Sequence, residues 1–438
     1  MKISIIGTGY VGLTTGATFA ELGHHVVCVD NNTEKIASLK SGKIPIYEPG
    51  LEQLVLTNCN EGRLSFSTEI SDGVEHGEVI FVAVATPPRP DGSADLSAIE
   101  NVSVQIGKCM TDYRLIVEKS TVPVNTGNRM MKILSEAVRP GIEFDVASNP
   151  EFLREGSALT DAFHPDRVVI GVTSDRARSI LVSLYEPLNA PILITDINSA
   201  ELIKHTSNAF LAMKISFINA VALICEKTGA DIIKVAKGAG LDKRIGELFL
   251  NAGIGFGGSC FPKDVAAFIH LAEKAGYDFR LLREVAAINS RQKLIVVHKL
   301  KRLLGNLSGK TITILGLAFK PNTDDIRSSP ALDIIPALRQ EGAQIRAHDP
   351  KALHNMKQLL PDIDYRADPY EAVTGADAVA ILTEWPDYKN LDILQVKKLM
   401  AKPVLVDGRN LFSPQRLRQI GFAYDGVGRG NPLSEEHI

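Results

Sequence analysis

Lys2 to Ile6 is a short apolar strand-like run that passes straight into Gly7-Thr8-Gly9-Tyr10-Val11-Gly12. A helix-forming stretch, Leu13 to Leu22, comes next, and Gly23 stops it. His25 to Val29 then reads as a second strand, ending at Asp30. Glycines at this spacing are weak by themselves, and an incidental β-α-β unit is the plain alternative. Here they follow a strand, open a helix, and have an acid at the end of the next strand, about 20 residues on, which is the Rossmann arrangement. The glycines let the backbone approach a diphosphate at the helix N-terminus. Gly7, Gly9, Tyr10, Val11 and Gly12 are therefore candidate cofactor contacts. Asp30 suits both ribose hydroxyls and would repel a 2′-phosphate, so NAD is expected over NADP. Lys35, close by, is a cation that softens that preference.

Two later strands fit the same sheet. Val79 to Val84 runs to Thr86, and Leu115 to Glu118 runs to Thr121. Ligands sit beyond the carboxyl ends of parallel strands, so both threonines are candidate contacts. The plainer use of either is to cap a turn. The strand-like run Asp145 to Ser148 leads into Asn149-Pro150-Glu151-Phe152-Leu153-Arg154-Glu155-Gly156. Glu151 and Glu155, four apart, suit acid–base or binding work, or else are solvated acids at a helix start.

The chain has 438 residues, enough for two or three domains, and its net charge of −3 favours neither nucleic acid nor an anionic membrane. No apolar run reads as long enough to cross a bilayer, and no signal-peptide core precedes the first strand. Five widely spaced cysteines, with no Cys-x-x-Cys pair, argue against a disulfide framework or structural zinc. A reducing cytoplasm is the expected setting.

Asn198 to Thr228 carries a helical period through Leu202, Phe210, Met213, Phe217, Val221 and Ile224. Lys204 and Asn208 lie one turn apart on it, either as its wet side or as a cation and an amide beside a reacting oxygen. Its wide apolar stripe suggests a subunit contact. Further on, Gly257-Gly258-Ser259-Cys260-Phe261-Pro262-Lys263-Asp264 places a cysteine before a helix with proline in its first turn. A thiol there is favoured as thiolate, and with a lysine and a carboxylate nearby it is a candidate nucleophile. A buried cysteine at an ordinary junction is the alternative. The run Phe249 to Gly258 is rich in glycine and alanine and exposes backbone groups able to bind a base or sugar.

The last third repeats the first with a degraded glycine motif. Thr311 to Leu315, Gln344 to His348, Ala378 to Leu382 and Pro403 to Val406 read as strands, with a helix over Ala331 to Gln340. Lys320 and Arg327 are cations suited to phosphates, or simply surface residues. The expected fold is α/β: two Rossmann-like doubly wound parallel-sheet domains joined by a long central helix and a helical middle domain. The boundaries read as 1–195, 196–305 and 306–438.

These motifs in this order (Gly7 to Gly12, Asn149 to Gly156, Lys204 with Asn208, Gly255 to Asp264, Phe319-Lys320 with Arg327) closely resemble the UDP-glucose 6-dehydrogenase family, within the UDP-glucose/GDP-mannose dehydrogenases. The resemblance spans nearly the whole chain. Gly42 to Gly50 and Pro165 to Gly171 also look like family signatures. It implies NAD-dependent four-electron oxidation of UDP-glucose to UDP-glucuronate through a Cys260 thiohemiacetal and thioester, with product feeding polysaccharide synthesis. It gives Lys204, Asn208, Thr121, Glu151 and Asp264 places around the reacting carbon. It gives Val11, Asp30, Lys35, Thr86, Thr121, Glu155, Lys263 and Arg327 to NAD. Glu151, Phe152, Leu153, Arg154, Glu155, Lys204, Asn208, Phe249, Leu250, Asn251, Gly253, Gly257, Lys320 and Arg409 go to the nucleotide sugar. Arg244 is expected to reach the substrate of the partner subunit in a homodimer. No metal is implied. The base role stays open among Lys204, Asp264 and Glu151. A sibling activity on a UDP-N-acetyl-hexosamine or GDP-mannose, and a non-catalytic NAD-binding regulator, are the rival readings.

Overall fold

The computed structural model describes residues 1–429. They form two compact units: one of residues 1–207 with 266–277, the other of residues 208–265 with 278 onward. The divisions fall inside two helices, Ile197–Thr228 and Phe261–Lys274.

The first unit is built on eight strands: β1 (Lys2–Ile6), β2 (His25–Val29), β3 (Leu64–Ser67), β4 (Val79–Val82), β5 (Arg114–Glu118), β6 (Phe144–Ser148), β7 (Val168–Gly171) and β8 (Ile192–Thr195). Their order is β3-β2-β1-β4-β5-β6-β7-β8. All pairings are parallel except β6 with β7, which meet at Ser148 and Gly171. Alternate side chains feed two cores. Ile3, Ile5, Val79, Phe81, Leu115 and Val117 enter one, and Ile6, Ile80, Val82 and Ile116 the other. A sheet covered on both faces needs such near-continuous apolar strands. The order reverses between β1 and β4, so the Gly7 loop and the Val82–Thr86 segment flank the switch point where ligands bind in such sheets.

The second unit carries six parallel strands: β9 (Thr311–Leu315), β10 (Gln344–His348), β11 (Asp364–Tyr365), β12 (Ala378–Ile381), β13 (Val404–Asp407) and β14 (Ala423–Gly426), ordered β11-β10-β9-β12-β13-β14. Its core also takes in Ile218, Ala222 and Cys225 of the long helix and Leu250, Ala252 and Ile254 of the segment before Cys260. The doubly wound α/β expectation therefore holds in both units.

One expectation needs correcting. Helix Ile197–Thr228 is, by length and composition, apolar enough to cross a membrane. The interruptions at Lys204, His205, Asn208 and Lys214 hid this in the sequence. The helix nevertheless buries polar side chains against protein groups: Ser216 donates to the Val285 carbonyl (2.8 Å), and Asn219 accepts from the Gly253 amide (2.8 Å). A lipid-facing helix has no such partners to offer. Phe210, Phe217 and Ile224, seven residues apart, form an exposed stripe along it.

Candidate active site

In the first unit the glycine loop has three distinct geometries. Gly7 adopts φ +103°, and a Cβ there would lie 2.6 Å from the Ala83 carbonyl oxygen. A Cβ at Gly12 would lie 1.8 Å from the Gly7 oxygen, so helix Tyr10–Glu21 packs too closely for any side chain. Gly9, at the N-cap, has nothing within 4 Å of its would-be Cβ, and neither an acid nor a side-chain cap occupies that helix start. Free amides facing open space fit a diphosphate. At the end of β2, Asp30 accepts from the Thr8 amide (2.9 Å) and hydroxyl (2.8 Å), the Asn32 amide (3.0 Å) and the Lys35 ammonium (2.7 Å). Burial pushes its carboxyl up, but these donors, Lys35 foremost, hold it below the usual range. These residues fit a dinucleotide with free ribose hydroxyls.

Tyr10 donates its phenol to Glu48, which also accepts from the Gly156 amide (2.6 Å) and the Ala158 amide (2.7 Å). Burial first and Glu48 second push the Tyr10 phenol upward. Glu48 thus ties the glycine loop to the segment after Glu151. It lies in the Gly42 to Gly50 stretch whose wording stood out, but nothing in the sequence marked its carboxylate.

Glu151 and Lys204 form a buried ion pair at 2.9 Å, and the second Glu151 oxygen accepts from the Leu153 amide at 2.5 Å. The Phe152 ring lies under the Arg167 guanidinium, 3.6 Å from its centroid, with Lys204 at 5.4 Å. Arg154 is folded onto Asp161 through both backbone and guanidinium. Glu155 is half-buried beside it, as is Leu153. Behind this loop, buried Lys119 donates to Asn149 (2.8 Å) and Tyr185 (3.3 Å), and burial lowers its ammonium to about 8. Thr86 and Thr121 touch: the Thr86 hydroxyl donates to the Thr121 carbonyl at 3.0 Å. His205 contacts the Val122 carbonyl, away from the Lys204–Glu151 pair.

In the second unit Cys260 sits where the sequence expected it. Its carbonyl accepts from the Asp264 amide (2.8 Å), which makes it the N-cap of helix Phe261–Lys274, and the residue is half-buried rather than sealed in. Asn208 donates to Asp264 Oδ2 at 2.6 Å, and both side chains are buried. Lys263 lies 3.4 Å from the other Asp264 oxygen, which receives no hydrogen bond. The loop before Cys260 is pinned on both sides. A Cβ at Gly257 would lie 2.3 Å from the Ser328 oxygen, and Gly258, at φ +86°, donates to the Arg327 carbonyl at 2.8 Å. Gly255, at φ +89°, faces Asn289, which bonds the Phe256 amide (2.7 Å) and carbonyl (3.0 Å). Gly253 is held by Asn219 and by Gln292 (2.7 Å). Phe249 takes a left-handed φ of +65°, Leu250 is buried and Asn251 is exposed. Asn219, Asn289 and Gln292 escaped the sequence reading because amides on helices look like solvated positions.

The cations differ in use. Arg409 spans carbonyls of Leu382 (2.9 Å), Gly255 (3.2 Å) and Phe319 (3.4 Å), so it braces the loop before Cys260. Arg327 is clamped on Asp325 and Arg244 on Asp242, each through two nitrogens. Arg244 is otherwise exposed, and Lys320 is half-buried beside Phe319.

The chain matches three consecutive parts of one family: its NAD binding domain over residues 1–189, its central domain over residues 198–291 and its UDP binding domain over residues 313–414. The chain belongs to the UDP-glucose/GDP-mannose dehydrogenase family. Its Rossmann unit is thus the NAD-binding part of a dehydrogenase of that family. Among curated members it is similar to UDP-glucose 6-dehydrogenase TuaD of Bacillus subtilis, 50% identical over 98% of this chain and 93% of that protein. It is also similar to UDP-glucose 6-dehydrogenase of Rhizobium meliloti, 45% identical over 98% of this chain and 100% of that one. Among solved structures it resembles a UDP-glucose dehydrogenase of Pyrobaculum islandicum, with 41% identity, a TM-score of 0.91 and 98% of each chain covered. A UDP-D-ManNAc dehydrogenase of Pyrococcus horikoshii gives 29% identity and a TM-score of 0.87, covering 98% and 99%.

Proposed function

We propose that this chain oxidises UDP-glucose to UDP-glucuronate in two steps, with Cys260 as the covalent nucleophile. The observation that carries the mechanism is the helix that Cys260 caps, with the buried Asp264–Asn208 pair one turn further on. The choice of sugar rests on relatedness: 50% identity to a UDP-glucose 6-dehydrogenase against 29% to a UDP-D-ManNAc dehydrogenase. Residues 1–195 hold the cofactor in this reading, 196–305 supply the reactive loop, and 306–438 take the uridine end. Phe152 to Glu155, Phe249 to Gly253, Gly257 and Lys320 line the nucleotide sugar, with Arg409 bracing that loop. Thr86, Glu155, Lys263 and Arg327 are assigned to the cofactor.

NAD, when bound by the Gly7 to Gly12 loop and Asp30, would supply the hydride acceptor for each oxidation. The protein must first take the hydroxyl proton of the sugar's terminal carbon; a water held by Thr121 and Asp264, with Lys204 supporting it, fills that role. Cys260 Sγ, as thiolate, then adds to the aldehyde carbon. The new S–C bond places the carbonyl pair on oxygen, and Lys204 and Asn208 donate to that oxyanion. After the second oxidation the carbon is a thioester. Water attacks it, Asp264 or Glu151 takes the proton, and the thiolate leaves with carboxylate as product. The exposed stripe of Phe210, Phe217 and Ile224 suits a second copy of the chain, with Arg244 reaching the partner's substrate.

Complete conversion should yield two NADH per UDP-glucose, and Cys260→Ala should make no UDP-glucuronate while retaining NAD binding. Wild-type yields of glucuronate from that variant would end the covalent scheme. Parallel assays with UDP-N-acetyl-hexosamines and GDP-mannose decide the sugar.

A further inference from the structure

We propose that Glu201 and His205, one turn apart on the long helix, are positioning residues that clamp the segment carrying Thr121. This rests on the reading above that Thr121 works at the reacting carbon.

Between β5 and helix Thr126–Ala137 the chain makes one local turn, with the Thr126 hydroxyl donating to the Pro123 carbonyl at 2.6 Å. Asn125, the N-cap of that helix, sits at φ +81° and makes no side-chain capping bond. Asparagine tolerates this left-handed conformation, but its side chain then leaves the helix-start amides uncapped. Glu201 supplies the missing cap from another helix. One carboxylate oxygen accepts from the Asn125 amide (2.7 Å) and the other from the Gly127 amide (2.7 Å). The approach requires glycine: a Cβ at Gly127 would lie 2.5 Å from Ile197 and 3.4 Å from Glu201. Four residues on, His205 Nε2 meets the Val122 carbonyl at 2.7 Å; a carbonyl only accepts, so Nε2 carries the proton. Both side chains are about fully buried, at 1% and 2% exposure. From the sheet side, Thr86 donates to the Thr121 carbonyl and Ser120 to the Val84 carbonyl (2.8 Å). The segment carrying Thr121 is therefore held between the residues that follow β4 and the long helix, which also bears Lys204.

A buried carboxylate used this way has a second consequence. Desolvation outweighs its backbone donors and raises Glu201 to about 7, with Asp196 adding to the rise. A proton on either oxygen competes with an amide for it, so the clamp is tightest above that pH. Of the ionisable groups on the packed elements, Lys204 pairs with Glu151, Arg129 with Glu100, His205 bonds Val122, and Asp196 accepts from Ser199.

The test measures kcat, KM for NAD, calorimetric NAD binding and the pH profile of kcat for Glu201→Gln, His205→Ala, His205→Gln and Thr121→Ala. Glu201→Gln should lower kcat at least tenfold and remove the inflection near pH 7. His205→Ala should lower kcat similarly, and His205→Gln, which keeps a donor for Val122, should restore most of it. Wild-type kcat and pH profile in Glu201→Gln and His205→Ala, beside an impaired Thr121→Ala, would overturn the clamp. An active Thr121→Ala would instead remove the reading beneath it. If Glu201→Gln does not fold, the His205 pair decides alone.

Discussion

Asn208 Nδ2 donates to Asp264 Oδ2 at 2.6 Å, in a site where both side chains are buried. The pair fixes which amide atom faces the carboxylate, and so leaves the Asn208 oxygen and the remaining amide hydrogen for other partners. Removing Asn208 takes away a partner of a buried carboxylate and, in the proposed mechanism, an oxyanion donor as well. Asn208→Ala should reduce kcat by about a hundredfold or more, with NAD binding little changed. Steady-state rates beside calorimetry check this; a kcat within a few-fold of wild type excludes Asn208 from the oxyanion role.

Lys204 and Glu151 are 4% and 5% exposed at their side chains and bond at 2.9 Å. Breaking a buried pair strands a charge, at about 3–5 kcal/mol. Lys204→Met should therefore shift the urea midpoint downward as well as abolish turnover. The double variant Lys204→Met with Glu151→Leu should recover stability but not activity. Identical midpoints for wild type and Lys204→Met would mean the pair is hydrated.

Gly9 and Gly12 should respond in opposite ways to alanine. Gly12→Ala drives a methyl into the Gly7 oxygen and should unfold the loop, lowering the melting temperature. Gly9→Ala meets no protein atom, so the melting temperature of the free protein should hold while NAD affinity falls, because the methyl enters the diphosphate's space. Thermal unfolding with and without NAD separates the two. A Gly9→Ala protein with unchanged NAD affinity would place the diphosphate elsewhere.

Lys119 should make stability rise with pH in a definite window. Its folded value is about 8 and its ordinary value 10.5. Between the two, the unfolded chain binds more protons than the folded one, so unfolding becomes less favourable as pH rises. Below the window the charged form is penalised in the fold. The difference in unfolding free energy between wild type and Lys119→Met should grow from pH 8 toward 10. A flat difference would mean that Asn149 and Tyr185 stabilise the ammonium fully.

Much of the frame was legible. Strong apolar periods gave β1, β2, β4 and β5 in the first unit and β9, β10, β12 and β13 in the second, and the Gly-Ser-Cys-Phe-Pro order placed Cys260 at a helix start. Short edge strands were harder. Leu64–Ser67 alternates over four residues and Asp364–Tyr365 spans two, too few for a period to register. Residues that act by reaching across the chain were invisible. Glu48 meets Ala158 110 positions on, and Glu201 meets Asn125 76 positions back. A carboxylate capping a distant helix has the same letter as one in solvent. Arg409, expected at the substrate, also donates to three carbonyls of its own unit, a bracing role that its letter did not show.

The Asp30–Lys35 bond joins two opposed preferences in a single contact. The carboxylate expected to reject a phosphorylated ribose also restrains a neighbouring ammonium that would welcome one. Exchanging Asp30 for a small neutral residue therefore does two things at once: it removes a repulsion and frees a cation. With Asp30 in that role, coenzyme preference would hinge on a single carboxylate.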